Sequence, residues 1–179
     1  MDEKIKAIKT SSKVISVIMK IGYVAMIVEM CICLVGLIFI AITGGETSIV
    51  TSGGVRIVAV DAPVTTAKGA IAVCVAAFIL GAFLFFIFRL AYRMFREINA
   101  TGTPFNENYV KVIKRIGVLV AVMTVVESAV DSAAAAFAGV DTLGMSSDST
   151  GVIFGVIIYC LAYIFDYGCT LQKLSDETL

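Results

Sequence analysis

The sequence predicts an all-α membrane protein: a four-transmembrane-helix antiparallel bundle with both termini in the cytoplasm and a small β-hairpin in the first outer loop. The 179 residues are 59% hydrophobic, and the mean hydropathy of +0.98 is far above that of a soluble domain. A helix needs about 20 mostly apolar residues to cross roughly 30 Å of hydrocarbon. Four segments meet this requirement within one integral membrane domain: residues 21–42, 69–88, 116–138 and 152–171.

The basic residues indicate how these segments are oriented. Twelve of the 14 Lys and Arg lie before the first span, in the turn of residues 89–115, or in the C-terminal tail. The first outer loop, residues 43–68, holds the other two, and the second, residues 139–151, holds none. Because loops rich in Lys and Arg stay in the cytoplasm, both termini and the turn are predicted to be cytoplasmic.

The segments between the spans have their own predicted structures. Residues 1–20 alternate lysines with apolar residues, which is typical of an amphipathic helix lying on the inner membrane surface. In the first outer loop, two runs of β-branched residues flank a serine-glycine turn, which predicts a β-hairpin over residues 47–60.

The cytoplasmic turn has its own boundary signals. The second helix is expected to continue to Asn99 and to end at Gly102 as its C′ residue. Thr103 and Pro104 are expected to start the third helix as N-cap and first helical residue.

Small or polar residues recur every seven positions in the spans, which predicts helix–helix contacts. The first span has Gly22, Glu29 and Gly36 at this spacing, and the second has Cys74 and Gly81. The third and fourth spans carry the rest of the pattern: Gly117, Thr124, Asp131 and Ala138, then Gly155, Ala162 and Cys169. A period of 3.5 residues keeps one stripe against a neighbouring helix, so a compact bundle is expected.

Three acidic residues, Glu29, Glu127 and Asp131, fall inside predicted spans that contain no basic residue. Ionised carboxylates at such depth are costly and usually face the protein interior. Three interpretations stay open. In the first, Glu29 and Glu127 face each other across the bundle as a proton- or cation-handling site. In the second, the protonated acids donate hydrogen bonds that fix the helix register. In the third, Asp131, Ser128 and Ser132 line a wet outer vestibule.

At the inner boundary, a salt bridge between Arg89 and Asp166 is predicted, because both lie where their spans end. The remaining basic residues of the turn are expected to contact a partner or the anionic inner-leaflet lipids, at about 1 kcal/mol each. These residues are Arg93, Arg96, Lys111, Lys114 and Arg115.

Several function classes are disfavoured. The chain has no histidine, no catalytic triad and no phosphate-binding glycine loop, so neither enzyme activity nor a cofactor is expected. The five cysteines all fall within predicted spans, which is typical of packing residues and predicts no metal site. Direct nucleic-acid binding is not expected, because no soluble domain is available to enter a groove.

Two stretches resemble one known family. The first contains Asn99, then Gly102-Thr103-Pro104-Phe105, and the second runs from Phe165-Asp166-Tyr167-Gly168-Cys169 to the ending Asp176-Glu177-Thr178-Leu179. Together they resemble the YoaS-like group of four-span bacterial inner-membrane proteins, a family of unknown function, over essentially the whole chain. The resemblance implies a bacterial plasma membrane location and a small helix-turn-helix regulator as cytoplasmic partner. It brings no catalytic residues.

Two functions follow as alternatives. One is a non-enzymatic sensor or regulatory protein that docks a small cytoplasmic DNA-binding regulator. The other is a small proton-coupled transporter of cationic or hydrophobic compounds that uses the buried glutamates. A homodimer is left open by the sequence.

Overall fold

The computed structural model describes residues 2–43, 67–102, 106–138 and 150–177. These residues form four helices: α1 (Asp2–Thr43), α2 (Ala67–Thr101), α3 (Glu107–Ala138) and α4 (Thr150–Glu177). The described ranges contain no strand, and the predicted β-hairpin of residues 47–60 lies outside them. The all-helical prediction is therefore confirmed for the described part of the chain.

Three of the helices are long and apolar enough to cross a membrane. The stretches are Ile8–Ile42 in α1, Ile71–Thr101 in α2 and Thr150–Leu174 in α4. Most of the large apolar side chains of the α1 and α4 stretches are exposed, as expected when lipid rather than protein covers them, whereas those of α2 are mostly half-buried. The predicted third span, residues 116–138, is helical but is not one of these three. The helices identify the chain as a membrane protein.

The sequence predicts a separate surface helix over residues 1–20, and the structure does not contain one. Helix α1 is continuous over 42 residues. At 1.5 Å per residue it is roughly 63 Å long, about twice the hydrocarbon thickness. Near its start, Ile8 packs against a cluster that α2 builds with Met94 and Ile98 and to which α3 adds Tyr109. This packing holds the segment in line with the rest of α1.

The turn between α2 and α3 confirms one predicted boundary and corrects another. Gly102 has φ 72°, in the left-handed region that favours glycine, and its N–H donates to the Ile98 carbonyl at 2.8 Å. Helix α3 begins at Glu107, and Asn106 is its cap; Thr103 and Pro104, which were predicted to start this helix, lie outside the described residues. The Asn106 side-chain oxygen accepts from the Asn108 N–H at 2.9 Å, and its carbonyl accepts from the Tyr109 N–H at 2.9 Å.

The helices pack as two antiparallel hairpins. In the first hairpin, Gly22, Met30 and Gly36 of α1 lie next to Phe88, Gly81 and Cys74 of α2. In the second, Gly117 of α3 lies against Gly155 and Tyr159 of α4. Helix α2 also packs on α3, whereas α1 and α4 share almost no contact among the described residues. The described helices therefore form a helical bundle arranged as a row in chain order, in which α1 and α4 do not close a ring.

Two clusters of buried side chains pack at or beside one end of the row, which we call the charged end. It consists of residues 2–20 of α1, 89–101 of α2, 107–115 of α3 and 166–177 of α4. One apolar cluster there joins the two hairpins through Met94, Ile98 and Tyr109. A second joins α3 to α4 through Val110, Ala162 and Cys169, and Ile113 packs against both clusters. The charged end is thus a packed part of the fold.

Candidate functional site

Two features of the fold could carry function: the charged end and the acids buried between the helices. At the charged end, Asp166 of α4 forms a salt bridge with Lys114 of α3, with 3.2 Å between the Lys Nζ and the Asp Oδ2. The prediction that Asp166 pairs with Arg89 is therefore wrong. Helix α4 packs along α3, so the nearest cation to Asp166 comes from α3 and not from α2.

Arg89 has a different neighbour. Its guanidinium carbon lies 5.8 Å from the centre of the Phe85 ring, one turn earlier on the same helix. This is within the range of a cation–π interaction. Arg89 thus stays on the exposed side of α2, at the edge of the apolar stretch.

A second ion pair joins the same two helices further along the charged end. Lys173 of α4 donates to the Glu107 carboxylate of α3. The hydrogen bond and the positive charge of Lys173 lower the pKa of Glu107 below its ordinary value. The sequence analysis missed this pair, although a signal existed. Glu107 and Lys114 are seven residues apart, and so are Asp166 and Lys173, which suits two opposite-charge pairs between antiparallel helices.

The arginines of α2 form one exposed face. Arg89, Arg93 and Arg96 follow each other at i, i+4 and i+7, and all three are exposed. Arg96 lies over the Tyr92 ring, 5.7 Å from its centre. The opposite side of the same helix turn is held by the buried residues Met94 and Ile98. The arginine face is therefore presented by a helix that is fixed by packing.

The predicted basic contacts on α3 divide into two kinds. Lys111 and Arg115 are exposed. Lys114 is only 27% exposed, because it pairs with Asp166 and lies 4.2 Å from the centre of the Tyr163 ring. Lys114 therefore holds α4 in place and is not available as a partner contact.

The predicted intramembrane acids lie on two helices that do not pack on each other. Glu29 is on α1 and faces α2, since the residues seven before and seven after it contact α2. Glu127 and Asp131 are half-buried on α3. Helices α1 and α3 each pack on α2 and share almost no direct contact within the described ranges. Among the described residues there is therefore no extensive α1–α3 interface at which Glu29 and Glu127 would face each other.

Two of these acids have an oxygen without a hydrogen-bond partner. The Glu29 Oε2 and the Asp131 Oδ1 are both shielded from solvent, and neither has a partner among the described residues. Such atoms are uncommon in folded proteins and call for an explanation. No group of three potential metal ligands comes together in the described part of the chain.

Comparisons with protein-family models, with curated proteins and with solved structures each found no match. The resemblance to the YoaS-like group therefore stays a prediction.

Proposed function

We propose that the chain is a regulatory protein of the bacterial plasma membrane that holds a small cytoplasmic partner at its charged end. In this proposal the chain crosses the membrane four times, with α3 as the remaining span and both termini in the cytoplasm. The concentration of 12 of the 14 basic residues in the segments of the charged end supports that orientation. The protein acts by binding and not by catalysis.

The observation that carries this proposal is the arginine face of α2. Three arginines share one exposed face of a helix whose other side is fixed by Met94 and Ile98. Among the described residues Arg93 and Arg96 form no salt bridge. A pre-organised row of guanidinium groups suits carboxylates, which it can bind in a planar, two-pronged geometry.

The partner is therefore expected to present acidic side chains to the arginine face. The resemblance suggests its class, a small helix-turn-helix regulator that would be held at the membrane and kept from its DNA. The competing role for the same arginines is to bind anionic lipid headgroups. Lipids recognise charge near the membrane without regard to which helix carries it, and this difference can be tested.

The test compares two variants that each remove two positive charges from the charged end. Arg93→Gln/Arg96→Gln changes the arginine face, and Lys9→Gln/Lys13→Gln changes exposed lysines of α1. Both variants and the unchanged chain are purified with mild detergent from the native membrane, and co-purifying proteins are identified by mass spectrometry. We expect a small DNA-binding protein with the unchanged chain and the α1 variant, and its loss with the arginine variant. Equal recovery in all three samples would contradict the proposal.

A second candidate function, proton-coupled transport of a cationic or hydrophobic compound, is favoured by the unpaired Glu29 and Asp131 oxygens. A buried carboxyl without a fixed partner can exchange a proton for a cation. In liposomes with an imposed pH gradient, Glu29→Gln should abolish dye-reported cation flux, and Arg93→Gln/Arg96→Gln should leave it unchanged. Flux that persists in Glu29→Gln would exclude Glu29 from such a pathway.

A further inference from the structure

The α1–α2 hairpin carries two cations at the level where its predicted spans end. Lys20 directly precedes the first predicted span, and Arg89 directly follows the second. Gly22 of α1 lies against the Phe88 ring of α2. Because the two helices are antiparallel, Lys20 and Arg89 both lie just beyond this contact, toward the charged end. Two basic side chains from different helices therefore stand at one edge of the hydrocarbon.

Neither cation is neutralised within the described part of the chain. The salt bridges among the described residues both join α3 to α4, and they use Lys114 and Lys173. Lys20 and Arg89 are exposed, and no described carboxylate pairs with either of them. An anion from outside the chain can therefore bind both cations without breaking an ion pair of the fold.

Aromatic rings lie beside these cations, between the two helices. The centre of the Tyr23 ring of α1 is 6.2 Å from that of Phe85 and 5.5 Å from that of Tyr92, both on α2. The Arg89 guanidinium carbon is 5.8 Å from the centre of the Phe85 ring. All three rings are half-buried. Tyrosines at the end of a span are typical of the headgroup level, where the ring is in apolar surroundings and the hydroxyl is in water.

The rings and the arginine of α2 share one side of that helix. Phe85, Arg89 and Tyr92 follow each other at i, i+4 and i+7. Met94 and Ile98, which pack with a residue of α3, lie on the opposite side of the same helix turns. The group therefore opens on the side of the hairpin that is turned away from α3, where lipid has access to it.

The chemistry of this group suits a phosphodiester at the membrane surface. A guanidinium group can donate two parallel hydrogen bonds to two phosphate oxygens, and an ammonium group adds a second positive charge. Depth separates Arg89 from Arg96, which is seven residues, or roughly 10 Å, further from the hydrocarbon. A phosphate at the edge of the hydrocarbon thus meets Arg89, whereas a cytoplasmic protein meets Arg96 first.

We propose that the α1–α2 hairpin binds one anionic phospholipid of the cytoplasmic leaflet at Lys20, Tyr23, Phe85, Arg89 and Tyr92, which we call the lipid site. Arg89 and Lys20 hold the phosphate, and the rings lie against the glycerol and the first acyl carbons. General attraction of anionic lipid to basic residues differs from this, because it requires neither one bound lipid nor particular side chains. The choice of leaflet rests on the orientation proposed above, and the inference uses neither the regulator nor transport.

The experiment titrates the purified full chain in detergent with phosphatidylglycerol and counts the bound lipids by native mass spectrometry. Lys20→Gln/Arg89→Gln changes the lipid site. Arg93→Gln/Arg96→Gln is the matched control, because it also removes two exposed positive charges. We expect one tightly bound lipid, with a Kd that rises at least about ten-fold in the first variant and less than about two-fold in the control. Equal weakening in both variants would overturn the proposal, since charge alone would then attract the lipid.

Two further probes identify the ligand. Phosphatidylethanolamine, whose headgroup has no net charge, should bind at least about ten-fold more weakly than phosphatidylglycerol, and equal binding would overturn the proposal. Glycerol phosphate in solution should not displace the bound lipid. Displacement would show that the site takes a soluble phosphate, which would also overturn it.

The fold of each variant is checked by circular dichroism. If Lys20→Gln/Arg89→Gln does not fold, Arg89→Lys takes its place, because it keeps the charge and loses the two-pronged geometry of the guanidinium group. Its Kd for phosphatidylglycerol should still rise about three-fold, since one of two parallel hydrogen bonds is lost. An unchanged Kd in Arg89→Lys would contradict the assignment of the phosphate to Arg89.

Discussion

The two hairpins of this protein are held together in different ways. Between α3 and α4 the backbones touch: a methyl carbon added at Gly155 would lie 2.7 Å from the Gly117 carbonyl oxygen and the Ala121 nitrogen. Two ion pairs then join the same helices at the charged end. Between α1 and α2, glycines instead meet side chains. A methyl carbon at Gly22 would lie 3.1 Å from the Phe88 ring, and one at Gly36 would lie 3.6 Å from the Cys74 sulfur.

This difference shows how small residues can serve two purposes in helix packing. In the α3–α4 hairpin they permit an approach that no side chain could occupy, and the register is then fixed by charge. In the α1–α2 hairpin they leave room for large neighbours, including the contact of the Tyr23 and Phe85 rings, whose centres are 6.2 Å apart. A larger residue in the α3–α4 interface would force the backbones apart, whereas the side chains of the α1–α2 interface can move to accept one.

The largest effect is expected where the two hairpins meet. Ile98 is 7% exposed and packs with Met94 and Tyr109 at the charged end. Ile98→Ala removes buried methylene groups and leaves a cavity, so the free energy of unfolding should fall by about 2–4 kcal/mol. The measurement is thermal unfolding in detergent by circular dichroism. The same truncation at Ile38, which is 60% exposed, serves as the control and should have little effect. Equal losses would show that the charged end does not join the hairpins.

The contrast between the hairpins is tested by glycine substitutions. Gly155→Ala should lower the free energy of unfolding by about 1–3 kcal/mol, because backbone atoms of α3 must move away. Gly36→Ala should change it by less than about 0.5 kcal/mol, since its methyl group would be in ordinary contact with Cys74. Both variants are compared by the same unfolding assay. A harmless Gly155→Ala would mean that α3 and α4 do not cross at this point.

Much of the helix packing could be predicted from the sequence, because it depends on local spacing. Small residues recur every seven positions, and this recurrence, which includes Gly117 and Gly155, predicts which face of each helix packs on a neighbour. Gly117 and Gly155 are indeed next to each other in the structure. The left-handed turn at Gly102 was predictable for a similar reason, since the chemistry of a helix C-terminus is set by one or two residues.

The axial positions of the helices could not be predicted in the same way. Asp166 was assigned to Arg89 on the assumption that all four apolar segments sit at the same level. In the structure Gly151 packs on Thr124 and Asp166 on Lys114, so α4 is displaced along α3 toward the charged end. A heptad pattern repeats every seven residues and allows several such alignments. The choice among them depends on interactions distant in sequence, such as the ion pairs.

The role of the Lys114–Asp166 pair can be measured with a double-mutant cycle. Asp166→Asn and Lys114→Met are made singly and together, and the coupling in the free energy of unfolding should be about 1 kcal/mol. This magnitude is modest because the Asp166 side chain is 45% exposed. The cycle of Asp166→Asn with Arg89→Gln is the control and should show no coupling. Coupling in the second cycle and not the first would restore the Arg89 pairing.

The smallest effect is expected from the outermost pair, Glu107 with Lys173, and it should depend on pH. Lys173 lowers the pKa of Glu107 in the folded protein, so the ionised form is favoured by folding. The stabilisation is then present above the ordinary glutamate pKa of 4.5 and is lost as the pH falls through the lowered folded value. The difference in melting temperature between the unchanged chain and Glu107→Gln should accordingly be small at neutral pH and vanish below that range. Because both side chains are more than half exposed, salt should also reduce it. A difference that is constant with pH would show that Glu107 acts through the start of α3 and not through its charge, and the α3–α4 register would then depend on Lys114 and Asp166 alone.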